Sequence, residues 1–203
     1  MTEEEARGWL RAHFGVSRET AVAHFLALLQ AEQMRQNLVS AGTLSQLWRR
    51  HAVDSAQLIQ HADAGDGLWI DIGTGAGFPG MIVALLTERP VLMIEPRRKR
   101  ADFLRDAVAA LELRHAEVRC ARVQTIKAKA SVISARAVAA LPDLLAAARH
   151  LSTPKTRWLL PKGKSAREEV AMTAAAWHGM FHVEPSLTDS ESLIVIAEGV
   201  ALR

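Results

Sequence analysis

The chain contains no tyrosine and a single cysteine, and aromatic residues make up only 5% of it. One cysteine excludes an internal disulfide, and the apolar residues beside Cys120 predict a buried, unreactive thiol. Since aromatic rings are so few, we expect most of them to lie in the core and few to be free for binding.

Long apolar runs are missing as well. Charged residues interrupt every long window, so no segment reaches the roughly 20 apolar residues of a membrane-spanning helix. The first residues, MTEEEARGWL, are acidic, unlike a signal or transit peptide. The sequence shows no internal repeat, so we expect a soluble cytoplasmic protein with one domain over residues 1–203.

Basic residues are unevenly distributed, although the net charge is only +3. They concentrate in EPRRKRADFLR (95–105) and RHLSTPKTRWLLPKGKSAR (149–167). Two such stretches in a small domain favour an anionic partner, for which nucleic acid is the usual candidate. The alternative is that both stretches are solvated helix faces.

The hydrophobic pattern predicts helices first and then an alternating order of strands and helices. Helices are predicted over 3–13, 18–36 and from Thr43 to about His61, where Thr43 and Gln46 form a capping-box pattern. Later helices are predicted near 79–87, 98–113, 141–151 and 165–177. The predicted strands are LWIDI, VLMIE, AEVRCA, SVISA, RWLLPKG, MFHVEPS and SLIVIAE. This order predicts an α/β fold with a mostly parallel seven-stranded sheet, an antiparallel edge and an N-terminal helical cap over 1–62.

A glycine-rich corner, WIDIGTGAGFPG (69–80), follows the first predicted strand. After Asp71, the glycines Gly73, Gly75 and Gly77 stand at alternate positions, which lets a ligand approach the main chain closely. The backbone N–H groups then face that ligand at the positive end of the next helix. Pro79, with its fixed φ, suits the first turn of that helix.

The second predicted strand ends in Glu95, whose carboxylate is suited to accept hydrogen bonds from both ribose hydroxyls. The glycine corner and this acid together predict a site for an adenosine-containing cofactor. Gly75, Gly77 and Gly80 fit the G-x-G-x-x-G pattern of dinucleotide-binding oxidoreductases. The series from Asp71 through the three glycines fits the S-adenosylmethionine corner of class I methyltransferases equally well, and a turn without a ligand is the third interpretation.

Further segments carry a resemblance to a known family. They are QNLVS (36–40), LWRRHAVDSAQL (47–58), DIGTGAGFPG, IEPRRKRADFL, SARAVAAL and LPKG, in this order. Together they resemble the bacterial small-subunit (16S) rRNA guanine-N7 methyltransferases, also called glucose-inhibited division protein B. The resemblance covers the chain from about residue 20 to the end.

This resemblance implies a class I methyltransferase fold, with residues 66–203 as a Rossmann-like core, and S-adenosylmethionine as methyl donor. It implies methylation of one guanine in the decoding region of 16S rRNA, as naked RNA, small ribosomal subunit or assembly intermediate. The positions that it assigns to the cofactor site are Gly73, Phe78, Glu95, Val123, Gln124 and Arg136. The chain departs from the family at Gln124, where an acid is common, and in KAKASV, where an aspartate often stands.

This reaction needs little acid–base catalysis from the protein. Guanine N7 carries a lone pair and no proton, so no general base is needed, and alignment of the reactants is the main contribution. Asp54, in RHAVDS, is the candidate for stabilising the positive charge that develops on the purine. The alternative is that Asp54 is a structural partner of Arg50 or His51 on the same helix.

Binding of RNA is assigned to the two basic stretches and to aromatic rings. The candidate phosphate contacts are Arg97, Arg98, Lys99, Arg100, Lys162 and Lys164. Phe78, Trp48 and Trp158 are candidates for stacking on an extruded base, with a core position as the alternative. His178 and His182 lack an acidic partner and are expected to cross a helix end, so no metal site is predicted. A non-enzymatic RNA-binding module remains a further interpretation.

Overall fold

The computed structural model describes residues 1–62 and 65–203, which form one seven-stranded sheet with helices on both faces. The strands are β1 (Trp69–Ile72), β2 (Val91–Ile94), β3 (Ala116–Arg119), β4 (Val132–Ala135), β5 (Arg157–Lys162), β6 (Trp177–Pro185) and β7 (Leu193–Leu202). The α-helices are α1 (Glu3–Phe14), α2 (Val16–Gln33), α3 (Asp54–Ala56), α4 (Gly80–Leu86), α5 (Arg98–Ala110), α6 (Leu141–Ala148) and α7 (Ala166–Ala174). Among the described residues, none of these helices is both long and apolar enough to cross a bilayer.

The strand order β3-β2-β1-β4-β5-β7-β6 explains where a ligand is able to bind. Strands β1 to β5 are parallel, and β7 pairs antiparallel with both β5 and β6. The predicted parallel sheet with an antiparallel edge is therefore confirmed. The chain winds outward from β1 to β3 and then returns to β4, so the order reverses between β1 and β4. In open α/β sheets, ligands bind at the carboxyl ends of the strands at such a reversal.

Alternation along the strands divides the core into two layers. Trp69, Met93 and Leu159 belong to the layer that packs with α1, α2, α4 and α5. Ile70 and Trp158 belong to the opposite layer, with α6 and α7. Asp71 lies two residues after Trp69 and therefore points into the first layer, towards the start of α4.

The predicted single helix from Thr43 to His61 is wrong. A 3₁₀ segment (Ala41–Gln46), a π-helical turn (Trp48–Val53), the short α3 and a second 3₁₀ segment (Gln57–His61) occupy this region. Glu3 of α1 accepts hydrogen bonds from the backbone N–H groups of Trp48 and Arg49, both at 2.9 Å, so the helical turns restart there. The Thr43 hydroxyl donates to the Ser40 carbonyl at 3.0 Å in place of the predicted capping box.

Two further boundaries differ for reasons that lie in tertiary contacts. Helix α2 ends at Gln33, because the Gln33 side chain bonds to the backbone of Leu38 and Val39. Strand β6 begins at Trp177, so the expectation that His178 and His182 cross a helix end is wrong. Both histidines lie in an exposed part of β6.

The prediction of a buried cysteine is also wrong, because Cys120 is exposed. It follows the edge strand β3, in which Val118 alone is buried. Its Sγ lies 3.8 Å from the Pro96 carbonyl oxygen, beside the carboxyl end of β2.

A buried carboxylate joins the first two helices. Glu19 of α2 is only 1% exposed and forms ion pairs with Arg7 and Arg11 of α1. Glu19→Gln keeps the side-chain size but removes the charge that both guanidinium groups face. We expect it to lower the free energy of unfolding by about 1–3 kcal/mol, measured by urea denaturation.

The matched control is Asp106→Asn, which changes an exposed acid on α5. It is expected to change the free energy of unfolding by less than about 0.5 kcal/mol. Equal losses in the two variants would show that the Glu19 ion pairs do not stabilise the docking of α1.

Candidate functional site

The carboxyl ends of β1, β2 and β4 bring the predicted site residues to one edge of the sheet. Gly73 follows β1, Glu95 follows β2 and Arg136 follows β4. A methyl group added at Gly73 would lie 2.7 Å from Val138, so the loops after β1 and β4 touch. The backbone N–H of Gly75 donates to Glu95 at 2.9 Å, which joins the loops after β1 and β2.

Glycine is required at the three positions of the corner for different structural reasons. All have positive φ, +64° at Gly73, +60° at Gly75 and +102° at Gly77. A Cβ at Gly75 would be in ordinary contact with the Arg100 guanidinium, 3.6 Å away, and would not clash with it. A Cβ at Gly77 would lie 2.9 Å from Phe25 of α2, so Gly77 serves core packing. Of these two glycines, Gly75 is the one at which a Cβ meets no close contact, so the predicted approach of a ligand to the backbone stays a prediction for this position.

Glu95 acts as a clamp on this corner. Its side chain is buried, and its Oε2 accepts the Gly75 N–H while Oε1 accepts the Arg97 N–H at 2.8 Å. Each carboxylate oxygen has two lone-pair directions, so one on each oxygen remains for a ligand hydroxyl. The predicted role of Glu95 towards ribose is compatible with this geometry.

Asp71 lies beneath the corner and has no exposed surface. Its Oδ2 accepts the Gly80 N–H at 2.9 Å, at the start of α4, and its Oδ1 accepts the Ser134 hydroxyl at 2.7 Å. Ser134 also accepts the indole N–H of Trp69 at 2.8 Å. Burial raises the pKa of Asp71 to about 6. A ligand in the cleft cannot touch this carboxylate, so its contribution is to hold the loop from below.

Phe78 is the centre of a stack that closes the corner on the other side. The His51 ring lies on Phe78 with a centroid distance of 4.8 Å, and the Arg136 guanidinium lies 5.2 Å from the Phe78 centroid. Phe78 is only 2% exposed, so it is not available for stacking on a base. Trp158 is fully buried, so the core interpretation holds for this residue. The ring of Trp48 lies under the Arg7 guanidinium.

Arg136 determines the tautomer of His51. Arg136 Nη2 lies 2.9 Å from His51 Nδ1, and a guanidinium only donates, so Nδ1 is the acceptor. The ring proton therefore sits on Nε2, which donates to the Thr43 hydroxyl at 3.1 Å. Burial, with Arg136 and Arg50 nearby, lowers the pKa of His51 to about 3.

Asp54 has other partners than the two expected on its own helix. Its Oδ1 accepts from Gln57, Ser186 and Thr188 at 3.0, 3.2 and 2.9 Å, and its Oδ2 lies 3.5 Å from Arg136. The expected pairing with Arg50 or His51 is wrong, because Arg50 pairs with Asp189.

The loop between β6 and β7 was missed as a part of the site. Its contacts with Asp54 and Arg50 make it a wall of the site, although at least 132 positions of the chain separate these partners. The only signal in the sequence was the polar run SLTDSES (186–192), which has the composition of an ordinary turn.

Val123 and Gln124 lie in a 3₁₀ turn after β3, at the same edge of the sheet. Val123 is half-buried and Gln124 is exposed, so an apolar side chain and a free amide border the cleft beside β2. This placement is the one that the resemblance implies for an adenine contact.

The basic residues at this edge are partly engaged with the protein. Arg97, Arg98 and Lys99 are exposed at the start of α5, and Arg100 donates to the Asn37 carbonyl at 3.0 Å. Lys162 donates to Glu169 and to the Ala139 carbonyl, both at 2.8 Å. Lys164 is exposed and pairs with Glu191.

The second basic stretch is not one surface. Because β5 begins at Arg157 and runs parallel to β4, the residues before it lie at the amino edge of the sheet, opposite the site. Lys155 is therefore at the opposite edge from Lys162 and Lys164. The interpretation of 149–167 as one basic cluster is wrong.

A cavity of about 580 Å³ lies beside the Phe78 stack, between the loop after β4 and the β6–β7 loop. Its charged and titratable lining residues, which define the central cavity below, are Arg50, His51, Asp54, Arg136, Lys162 and Glu169. Val138 also lines it, and the same side chain approaches Gly73. The central cavity therefore adjoins the glycine corner.

Comparisons with known proteins point to one family. Residues 18–190 match the family model GidB, described as rRNA small subunit methyltransferase G. The ribosomal RNA small subunit methyltransferase G of Sphingopyxis alaskensis is 47% identical over 97% of this chain and 86% of its own. The protein of the same name from Novosphingobium aromaticivorans is 46% identical over 99% of this chain and 90% of its own.

Solved structures with a similar fold are methyltransferases of low sequence identity. A SAM-dependent methyltransferase from Aquifex aeolicus has a TM-score of 0.57 and 14% identity, covering 85% of this chain and 97% of its own. A ribosomal protein L11 methylase from Lactobacillus delbrueckii subsp. bulgaricus has a TM-score of 0.57 and 13% identity, covering 74% of this chain and 77% of its own. The class I methyltransferase fold predicted from the sequence is thereby confirmed.

The depressed pKa of His51 predicts a loss of stability in acid. The native state keeps His51 neutral down to about pH 3, whereas the unfolded chain protonates it near pH 6.5. The unfolded chain therefore binds more protons between these values, and stability falls as the pH drops. Between pH 7.5 and 5 the loss from His51 is about 2 kcal/mol, and His51→Gln is expected to lack it.

The measurement compares urea denaturation of wild type and His51→Gln at both pH values. The raised pKa of Asp71 acts in the opposite direction, with stability falling as the pH rises from 3.8 to about 6, but it is common to both proteins and cancels. His24→Gln, which changes an exposed histidine on α2, is expected to follow wild type. The same acid loss in wild type and His51→Gln would contradict the assignment.

Proposed function

Because the chain belongs to the family of rRNA small subunit methyltransferase G, or GidB, we propose that it methylates N7 of one guanine in the decoding region of 16S rRNA. The family match over residues 18–190 carries this proposal. The guanine and its N7 atom come from the resemblance of RHAVDS and GTGAGFPG to the guanine-N7 methyltransferases. We propose that the chain works in the cytoplasm, on 16S rRNA, the small ribosomal subunit or an assembly intermediate.

S-adenosylmethionine, when bound, supplies a methyl group already activated by a positively charged sulfur. The residues at the glycine corner fit such a nucleoside. The backbone at Gly75, which has no side chain, and the remaining lone pairs of Glu95 suit a ribose, and Val123 and Gln124 suit an adenine beside it. Gly73 lies in the same loop, and Arg136 lines the adjoining central cavity.

Three other residues assigned to the cofactor site hold the glycine corner in place from its protein side. Asp71 holds the start of α4, Gly77 packs against α2, and Phe78 carries the stack of His51 and Arg136. We propose that these residues position the corner and do not touch the cofactor. The oxidoreductase and the non-enzymatic alternatives are not retained, since the family consists of methyltransferases.

The contribution of the protein to methyl transfer is positioning. Guanine N7 needs no base, so no residue of the site has to remove a proton before the reaction. Asp54 supplies a negative charge 3.5 Å from Arg136 in the central cavity, which adjoins the glycine corner. We propose that this carboxylate stabilises the positive charge that methylation places on the purine.

The phosphate contacts are proposed on the exposed basic residues at the carboxyl edge of the sheet. Arg97, Arg98 and Lys99 extend from the start of α5, and Lys164 extends from the end of β5. Arg100 and Lys162 are included with a second role, because both also donate hydrogen bonds within the protein. We further propose that residues 1–203 act as one domain, with residues 1–62 as a cap, since His51 and Asp54 contact Phe78 and Arg136 of the core.

The proposed function is tested with purified protein, radiolabelled S-adenosylmethionine and small-subunit rRNA or subunits. We expect the label on one guanine, at which borohydride and aniline cleave the RNA because N7 is methylated. Gly75→Ala adds a Cβ to a loop residue whose φ is +60°, within 3.6 Å of the Arg100 guanidinium, and is expected to weaken S-adenosylmethionine binding about tenfold or more.

Gly8→Ala is the matched control, since a Cβ at Gly8 has no neighbour within 4 Å and α1 tolerates alanine. It is expected to bind and methylate like wild type. Label on a different base or atom, or unaltered binding by Gly75→Ala, would refute the corresponding part of the proposal.

Salt dependence tests the phosphate contacts. Lys99→Gln removes an exposed charge near the site, and the slope of log affinity for small-subunit RNA against log salt is expected to fall by about 1. Lys155→Gln removes an equally exposed lysine at the opposite edge and is expected to leave the slope unchanged. Equal slopes for Lys99→Gln and wild type would exclude Lys99 as a phosphate contact.

A further inference from the structure

We propose that the central cavity holds the target guanine and that Oδ2 of Asp54 reads its N1–H and 2-amino edge. This inference rests on the proposed function and specifies which residue selects the base. Three observations carry it: the position of the cavity, the free capacity of one carboxylate oxygen, and the order of donor and acceptor across the cavity wall.

The position follows from the requirement that the reacting base adjoins the methyl donor. Val138 touches both the central cavity and Gly73 of the glycine corner. Neither this cavity nor the groove of about 610 Å³ between α2 and α5 is lined by a glycine-corner residue, but the groove, lined by Leu28, Phe103 and Ala107 among others, also lacks Val138. Of these two, the central cavity is therefore the one placed to receive the base.

The carboxylate oxygens in the cavity differ in how many donors they already accept. Asp54 Oδ1 accepts three hydrogen bonds, from Gln57, Ser186 and Thr188. In Glu169, Oε2 accepts from Lys162 and the Leu141 N–H, and Oε1 accepts from Ser165. Among the described residues, the partner found for Asp54 Oδ2 is Arg136, at 3.5 Å, and the Asp54 side chain is 15% exposed.

Of these oxygens Asp54 Oδ2 therefore has the most room for a ligand donor, since Glu169 Oε1 already accepts the Ser165 hydroxyl at 2.9 Å. The three donors on Oδ1 hold the carboxylate in place, so little ordering of the side chain remains when a base binds.

Donor and acceptor follow one another in the order that guanine requires. Arg136 donates and Asp54 Oδ2 accepts, while the guanine edge presents O6 as acceptor and then N1–H and the 2-amino group as donors. Adenine presents an amino donor and then N1 as acceptor, the reverse order, which would place a lone pair against the carboxylate. Enzymes that act on an extruded base commonly read this Watson–Crick edge.

The arrangement also suits methylation at N7. N7 lies on the ring side opposite N1 and the 2-amino group, so a guanine held through that edge turns N7 away from Asp54. Methylation at N7 makes N1–H more acidic because positive charge spreads over the purine. A hydrogen bond from N1–H to a carboxylate then strengthens as the reaction proceeds, which is the condition for lowering a barrier.

The test replaces guanine by inosine at the methylated position of small-subunit rRNA. Inosine keeps N7, O6 and N1–H and lacks only the 2-amino group. Wild type is expected to methylate the guanine substrate with a kcat/KM about tenfold to a hundredfold higher, the usual effect of one hydrogen bond to a charged acceptor. Asp54→Asn removes the charged acceptor, and its guanine-to-inosine ratio is expected to fall towards 1.

Glu169→Gln is the matched control from the opposite wall of the cavity, and its ratio is expected to equal that of wild type. A wild-type ratio near 1 would overturn the proposal without any variant, even if Asp54→Asn does not fold. A ratio lost in Glu169→Gln but kept in Asp54→Asn would overturn the assignment to Asp54. A changed KM for S-adenosylmethionine in Asp54→Asn with an unchanged ratio would instead place the cofactor in this cavity. No methylation of the guanine substrate by wild type would refute the proposed function itself.

Discussion

The site depends on two carboxylates that hold one glycine loop by its backbone. Asp71 takes the Gly80 N–H from below, and Glu95 takes the Gly75 N–H from the side. This loop has three residues at positive φ, and these hydrogen bonds hold its backbone while Gly77 and Phe78 pack against the rest of the protein. The cost is a buried acid whose pKa is raised to about 6. The corner proposed for the nucleoside is therefore held by backbone hydrogen bonds to Asp71 and Glu95.

The stack on Phe78 extends this arrangement to the rest of the chain. His51 comes from the N-terminal segment and Arg136 from the loop after β4, and both rest on one ring of the glycine loop. Asp54 then connects Arg136 to the loop between β6 and β7. The glycine corner, the central cavity and the N-terminal segment are thus joined by ring contacts and an ion pair, so the N-terminal segment forms part of the candidate site.

The parts that sequence predicted well are those that local pattern determines. Alternating apolar strands and glycine at fixed spacing defined the sheet, its antiparallel edge and the corner after β1. The parts that failed depend on contacts between distant residues. Glu3 interrupts the predicted third helix by accepting hydrogen bonds from the backbone of Trp48 and Arg49. Cys120 is exposed because it follows a strand at the edge of the sheet. The partners of Asp54 in the β6–β7 loop lie more than 130 residues away, and no periodicity reports them.

The hydrogen bonds from Trp69 to Ser134 and from Ser134 to Asp71 also stabilise the observed register of β1 and β4. In the parallel pairing, Asp71 stands opposite Ser134 and Trp69 opposite Val132. A slip of one residue would turn the Ser134 hydroxyl to the other side of the sheet. The indole N–H and the carboxylate would then each lose the hydrogen bond to Ser134 within an apolar layer, and each loss would lower the free energy of unfolding by about 1–3 kcal/mol. Because β1 and β4 each have only four residues, the hydrogen bonds among Trp69, Ser134 and Asp71 are important for disfavouring a shifted pairing of the two strands, and they do so without a ligand.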